Sequence, residues 1–185
     1  MRRGGGIPVS SVKKGLGKVE VGLKWDPSSI GAPPHDLDIV AAAYPTGAPY
    51  AEPAYVVHFG SRSPDGTITL SRDSRDGKGF GFDEVMVLEF DRIPEAYTRV
   101  VVGVVIQQTQ LEGRKTFAAI RNTGVRIASG YTELATSDFA EVSGDTAATV
   151  AEFTREASGV WEFRRVVRGF DADPASFAAE LGRFS

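Results

Sequence analysis

The residues 73–84, Asp73-Ser74-Arg75-Asp76-Gly77-Lys78-Gly79-Phe80-Gly81-Phe82-Asp83-Glu84, concentrate the groups in this sequence that could do chemistry. Four carboxylates, Asp73, Asp76, Asp83 and Glu84, alternate with three glycines. A hard cation such as Ca²⁺ takes six to eight oxygens, carboxylate and carbonyl mixed, at about 2.3–2.6 Å. Glycines let the chain fold back so that backbone carbonyls converge with side-chain oxygens. The same composition also fits a solvated, glycine-rich turn with incidental acids, and composition alone leaves both readings open. An EF-hand is excluded, because Arg75 and Gly77 fall where that loop needs its third and fifth ligands.

A second acidic pair, Asp36 and Asp38, has the i, i+2 spacing that places both side chains on one face of a strand. Like charges that close are unfavourable without a cation or a donor between them. They could equally cap neighbouring N–H groups or face water.

Other chemistry finds less support. The chain has two histidines and no cysteine, which removes thiolate ligands, cysteine nucleophiles and disulfides. His58 lies in an apolar run and is expected to be packed, and His35 reads as turn filler beside the acidic pair. The glycine-rich loop lacks the Gly-Lys-Ser/Thr of a phosphate cradle, and its acids would repel phosphate. No nucleophile-elbow pattern occurs. A non-enzymatic protein is expected.

These residues must be positioned by strands. Short β-type runs broken by Gly, Pro and Asp fill most of the chain. In residues 18–25, Val19, Val21, Leu23 and Trp25 alternate with Lys18, Glu20, Gly22 and Lys24, the pattern of a half-buried strand. Further strands are expected at 36–43, 54–59, 67–70, 84–90, 99–107 and 125–128, the last after a helical turn. Residues 148–155 and 160–167 flank Ala157-Ser158-Gly159 as a hairpin would, although Val150, Phe153 and Ala157 also fit a helix. Arg164 and Arg168 read as part of a solvated strand face. At the C-terminus Asp173 is an N-cap candidate with Pro174 at N1, and Phe177, Leu181 and Phe184 repeat at helical spacing.

The fold class expected is therefore mainly β, two packed sheets with a few short helices and a C-terminal helix, in a single domain over 1–185. The first fifteen or so residues, rich in Gly and Ser, are expected to be partly mobile. An apolar fraction of 42% with 24% charged residues is ordinary for a globular chain. The apolar run 100–106 is far short of the roughly 20 residues a bilayer requires, so membrane insertion is not expected. A net charge of −3 gives no general attraction to nucleic acid. The start has no apolar stretch behind its arginines, and a cytoplasmic location is the expectation.

Val21-Gly22-Leu23-Lys24-Trp25-Asp26 followed by His35-Asp36-Leu37-Asp38 resembles the opening of the TerD tellurium-resistance family. The loop 73–84 is similar to that family's acidic glycine-rich run, and Gly113 with Phe117 and Asn122 to its following segment. Residues 145–170, with Gly159, Trp161 and Phe163, resemble its closing hairpin. The resemblance implies a β-sandwich and favours the hairpin reading of 148–167. It also implies a Ca²⁺-binding stress-response domain, with the ion held between the Asp36/Asp38 strand and the loop. The sequence departs from the family pattern at Ser74, Asp76, Phe82, Gln107-Gln108 and Phe59-Gly60. Phe82 replaces a carboxylate, so one retained Ca²⁺ site is expected, from Asp36, Asp38, Asp73, Asp76, Asp83 and Glu84, with a second weakened or lost. The alternative is an interaction module whose ion site has decayed, with Phe82 plugging it and Phe80 and Phe82 forming an exposed contact patch for an unidentified protein partner.

Overall fold

The computed structural model describes residues 15–109 and 113–183. The expectation about the first fifteen residues falls almost wholly outside this range, as does Phe184.

Among the described residues two antiparallel sheets form. The strands are β1 (Lys18–Lys24), β2 (Leu37–Pro45), β3 (Tyr55–Val57), β4 (Ile68–Arg72), β5 (Glu84–Glu89), β6 (Tyr97–Ile106), β7 (Gly124–Ser129), β8 (Thr132–Ser137), β9 (Ala147–Arg155), β10 (Trp161–Arg165) and β11 (Gly169–Phe170). One sheet runs β4-β5-β1-β7-β8, and the other runs β10-β9-β6-β2-β3 with β11 beside β9. A helix, α1 (Pro174–Glu180), closes the chain, and single 3₁₀ turns sit at Phe90–Arg92, Phe117–Ala119 and Ala140–Val142.

The alternation read in β1 is realised: Val19, Val21 and Leu23 are buried between the sheets, and Lys18, Glu20 and Lys24 face out. β2 and β6 are buried on both faces, which is why their sequences run almost continuously apolar. Leu37, Ile39, Ala41 and Ala43 of β2 face the inter-sheet core. Val40, Ala42 and Tyr44 face outward under Phe177 and Leu181 of the C-terminal segment. Gly103 of β6 makes room for that cover, since a Cβ there would stand 2.5 Å from the Phe177 ring. The helix starts as its caps dictate, with Asp173 Oδ1 accepting from Ser176 N at 2.8 Å and Pro174 in the first turn.

Residues 147–155 are a strand, so the hairpin reading of that ambiguous segment holds. Three details differ from expectation. β8 carries little apolar periodicity, because it is a mostly solvated edge strand, and the sequence does not announce it. Arg168 lies past the end of β10, its N–H donating to Thr149 Oγ1 at 3.0 Å, while exposed Arg164 pairs at 2.8 Å with buried Glu152. His58 is not packed in a strand: β3 ends at Val57, the chain turns, and the half-buried imidazole accepts at Nδ1 from Gly60 N at 3.1 Å.

Candidate metal centre

The acidic groups meet at one end of the sandwich, where β5 begins beside β2. Glu84 is the first residue of β5 and follows the inward alternation of Met86 and Leu88, so its side chain enters the space between the sheets. β3 pairs only with Ala41–Ala43 of β2, and the N–H of Ile39, beyond that pairing, donates to Glu84 Oε2 at 2.7 Å. Glu84 Oε1 is buried with no hydrogen-bond donor. Carboxylate oxygens of Asp38, Asp73 and Glu84 all lie within 4.8 Å of one another. Two oxygens on opposite sides of a Ca²⁺ at about 2.4 Å would be about 4.8 Å apart, so the cluster has the span of a cation shell.

Trp25 holds the two acidic segments in place. Its indole Nε1 donates to His35 O at 2.9 Å, just before the Asp36–Asp38 pair. Its backbone N donates to Asp83 Oδ2 at 2.9 Å, and Asp83 N donates to Leu23 O at 2.8 Å, extending the β1–β5 ladder into the loop. Gly77 passes beneath the indole with φ 74°, and a Cβ there would lie 2.5 Å from Nε1. Only glycine satisfies both constraints.

The predicted ligands thus divide. Asp38, Asp73 and Glu84 converge. Asp36 borders them, with one carboxylate oxygen buried and undonated and its backbone carbonyl accepting from Gln107 N at 2.8 Å. Asp76 caps its own turn, accepting from Lys78 N at 3.0 Å, with the Lys78 ammonium 3.6 Å away. Asp83 is buried and committed through one oxygen to Trp25 N. Sequence reading named Gln107 only as a departure and gave it no role; its amide donates to Asp38 Oδ2. Its neighbour Gln108 clasps the Lys115 backbone, donating to its O at 2.8 Å and accepting from its N at 2.7 Å. The sequence marks the pair as a departure from the family pattern but carries nothing that shows what either amide holds.

Crowding marks the electrostatics. Burial, then Asp38 and Asp73, push Asp36 up to about 7, with Arg75 pulling the other way. Burial also raises Asp38, against the hydrogen bond from Gln107. Glu84 is pushed up to about 10, first by burial and then by Asp73, with the Ile39 N–H opposing. Two like charges some 5 Å apart cost on the order of 3 kcal/mol at an effective dielectric constant of about 20. The group therefore takes up protons or a cation rather than standing fully ionised.

Phe82 lies elsewhere. A Cβ on Gly22 would meet its ring at 2.7 Å, so the ring covers Gly22. Gly22 presents the outer face of the five-stranded sheet, since Val21 and Leu23 on either side point inward. The ring and the inward-facing Glu84 are on opposite faces of that sheet. Phe80, by contrast, is 96% exposed, so the pair does not form one exposed patch.

The TerD domain model matches residues 1–180. The chain belongs to the TerD family. It is 29% identical to tellurium resistance protein TerD of Serratia marcescens over 98% of this chain and 96% of that protein. It is 26% identical to general stress protein 16U of Bacillus subtilis over the same shares, 98% and 96%. A solved structure of a telluride resistance protein homologue from Streptomyces coelicolor A3(2) superposes with TM-score 0.87 at 58% identity, covering 91% of this chain and 98% of that one. A second, described as being of unknown function, gives TM-score 0.89 at 57% identity over 93% and 100%. In this TerD domain three of the departures named above have a local role: Phe82 covers Gly22, Gln107 holds Asp38, and Gln108 fastens Lys115. No helix among the described residues is long and apolar enough to cross a membrane.

Proposed function

We propose that this TerD domain is a non-enzymatic, cytoplasmic stress-response module that binds one Ca²⁺ between β2 and the loop 73–84. The observation that carries the reading is the buried, undonated Glu84 Oε1 set among Asp38 and Asp73. The three grouped ligand atoms are all carboxylate oxygens, which suits a hard cation. Asp38, Asp73 and Glu84 supply the carboxylates, with Asp36 beside them. Asp83 and Asp76 act through the backbone they hold. Their commitment to Trp25 N and Lys78 N favours one site over two. Binding a cation relieves the mutual repulsion, so it stabilises the ordered loop and joins the two sheets at that end. The ordered surface would then be presented to a protein partner.

Trp25 borders the loop and provides a reporter. Tb³⁺, an oxygen-seeking stand-in for Ca²⁺, is expected to show Trp-sensitised emission that added Ca²⁺ reverses and that Asp73→Ala/Glu84→Gln loses. Absence of sensitised emission from folded wild-type protein would count against a site in the loop.

A further inference from the structure

A cavity of about 250 Å³ lies between α1 and the outer face of the six-stranded sheet, immediately beside the acidic cluster. Its floor is Val40 and Val105, and its roof is Pro174, Ala175 and Ala178. The small side chains on α1 leave the space, while Phe177 on the same helix fills the neighbouring core. Asp38, His58, Phe59 and Gln107 complete the wall. Asp38 is only 3% exposed, so little water competes for its carboxylate at the cavity wall. Gln107 spends its amide N–H on Asp38, which leaves the Gln107 carbonyl as a further acceptor. Phe59 is 56% exposed at the rim. No Lys or Arg is among the described residues that line the cavity, and His58 on the same wall favours the charged form of Asp38.

We propose that this cavity is a second binding site, for a small primary amine with an apolar body, whose ammonium meets Asp38 and whose body lies under α1. Three features select that chemistry. The wall offers carboxylate and carbonyl acceptors with no Lys or Arg among its described residues, so it suits a positive head better than a carboxylate. The floor and roof are aliphatic, and apolar cavities of this scale accept a body about the size of benzene. An aromatic at the mouth adds cation–π attraction to a passing ammonium. Asp38 also belongs to the metal cluster, so the amine and Ca²⁺ draw on one carboxylate. Occupancy of either site weakens the other by the same factor. That antagonism alone rests on the Ca²⁺ reading; amine binding does not.

The test uses benzylamine as the probe, titrated into chelator-treated full-length protein by calorimetry, with isosteric benzyl alcohol and with phenylacetate as controls. Benzylamine is expected to bind saturably and at least about tenfold more tightly than the alcohol, an advantage of about 1.4 kcal/mol, with no binding of phenylacetate. Ala178→Leu, which fills the cavity, is expected to abolish benzylamine binding, and Asp38→Asn to reduce it to the level of the alcohol. Circular dichroism establishes that each variant is folded, and Ala175→Val serves if Ala178→Leu is not. Benzylamine binding no tighter than the alcohol, or undiminished in the filled cavity, would overturn the proposal. Saturating Ca²⁺ is expected to raise the benzylamine Kd severalfold. If Ca²⁺ binds and leaves that Kd unchanged, the shared use of Asp38 is wrong. If Ca²⁺ itself does not bind, the metal reading fails while the amine result stands.

Discussion

Glu84 is the residue on which the cluster turns, because its carboxylate is wholly buried yet only one oxygen is given a donor. Its folded-state position near 10 lies above its ordinary value of 4.5. A raised group stabilises the fold while it is protonated, and that contribution is lost as pH rises from the ordinary value through the folded one. Asp36, raised to about 7 from 3.8, acts in the same sense across a lower window. Metal-free wild type is therefore expected to lose thermal stability between about pH 5 and pH 8 relative to Glu84→Gln, which keeps an acceptor for Ile39 N without the charge. Melts in chelator at the two pH values check this, and a difference between the proteins that does not change with pH would contradict it. Glu84→Gln should also weaken Ca²⁺ by tenfold or more, because affinity follows ligand charge. The acids themselves were legible, Asp73 and Glu84 by their density among glycines and Asp38 by its i, i+2 spacing with Asp36, and the structure groups these three. That Asp83 would instead anchor Trp25 N was not legible, since a carboxylate at a strand start accepts an N–H as readily as it binds an ion.

At the scale of elements, the loop is held against β1 by two glycine contacts that the sequence shows only as glycines. Gly77 combines φ 74° with an indole 2.5 Å from where its Cβ would stand. Gly77→Ala is expected to cost about 2–4 kcal/mol, from left-handed strain and overpacking together, and to weaken Ca²⁺ binding by displacing the loop. Urea unfolding and Ca²⁺ titration of the same variant test both parts. Phe82 tests the reverse case. It covers Gly22 on the face opposite Glu84, so Phe82→Ala is expected to cost about 1–2 kcal/mol of stability and to leave Ca²⁺ affinity within about twofold. A large gain in affinity would mean that the ring plugs the ion site after all. The strand pattern was readable wherever one face is buried and the other wet, as in β1. It failed at β8, where both faces are largely polar, and at His58, where the strand ends before its apolar run does.

Across the whole molecule the C-terminal segment is fastened by a network invisible in sequence spacing. Arg99, 1% exposed, pairs with Glu152 at 2.8 Å and donates to Gly182 O at 2.7 Å and Pro49 O at 3.1 Å. Removing Arg99 leaves buried Glu152 with exposed Arg164 as its remaining cation and frees the carbonyls of Gly182 and Pro49, so Arg99→Ala is expected to cost about 3 kcal/mol, read from urea unfolding; a change below about 1 kcal/mol would contradict it. Such pairings join residues 53 and 83 positions apart, and only the fold brings them together. The two-sheet architecture itself was legible, because strand periodicity and punctuation recur along the whole chain. The claim that unites the scales is that β2 and the loop 73–84 share one cation. Calorimetric titration of Ca²⁺ into chelator-stripped protein, with Mg²⁺ as control and Asp73→Ala/Glu84→Gln beside it, addresses it most directly. One saturable Ca²⁺ site, weak for Mg²⁺ and lost in the double variant, is the predicted result. No heat and no shift in Tm at millimolar Ca²⁺, or two equally tight sites, would contradict it.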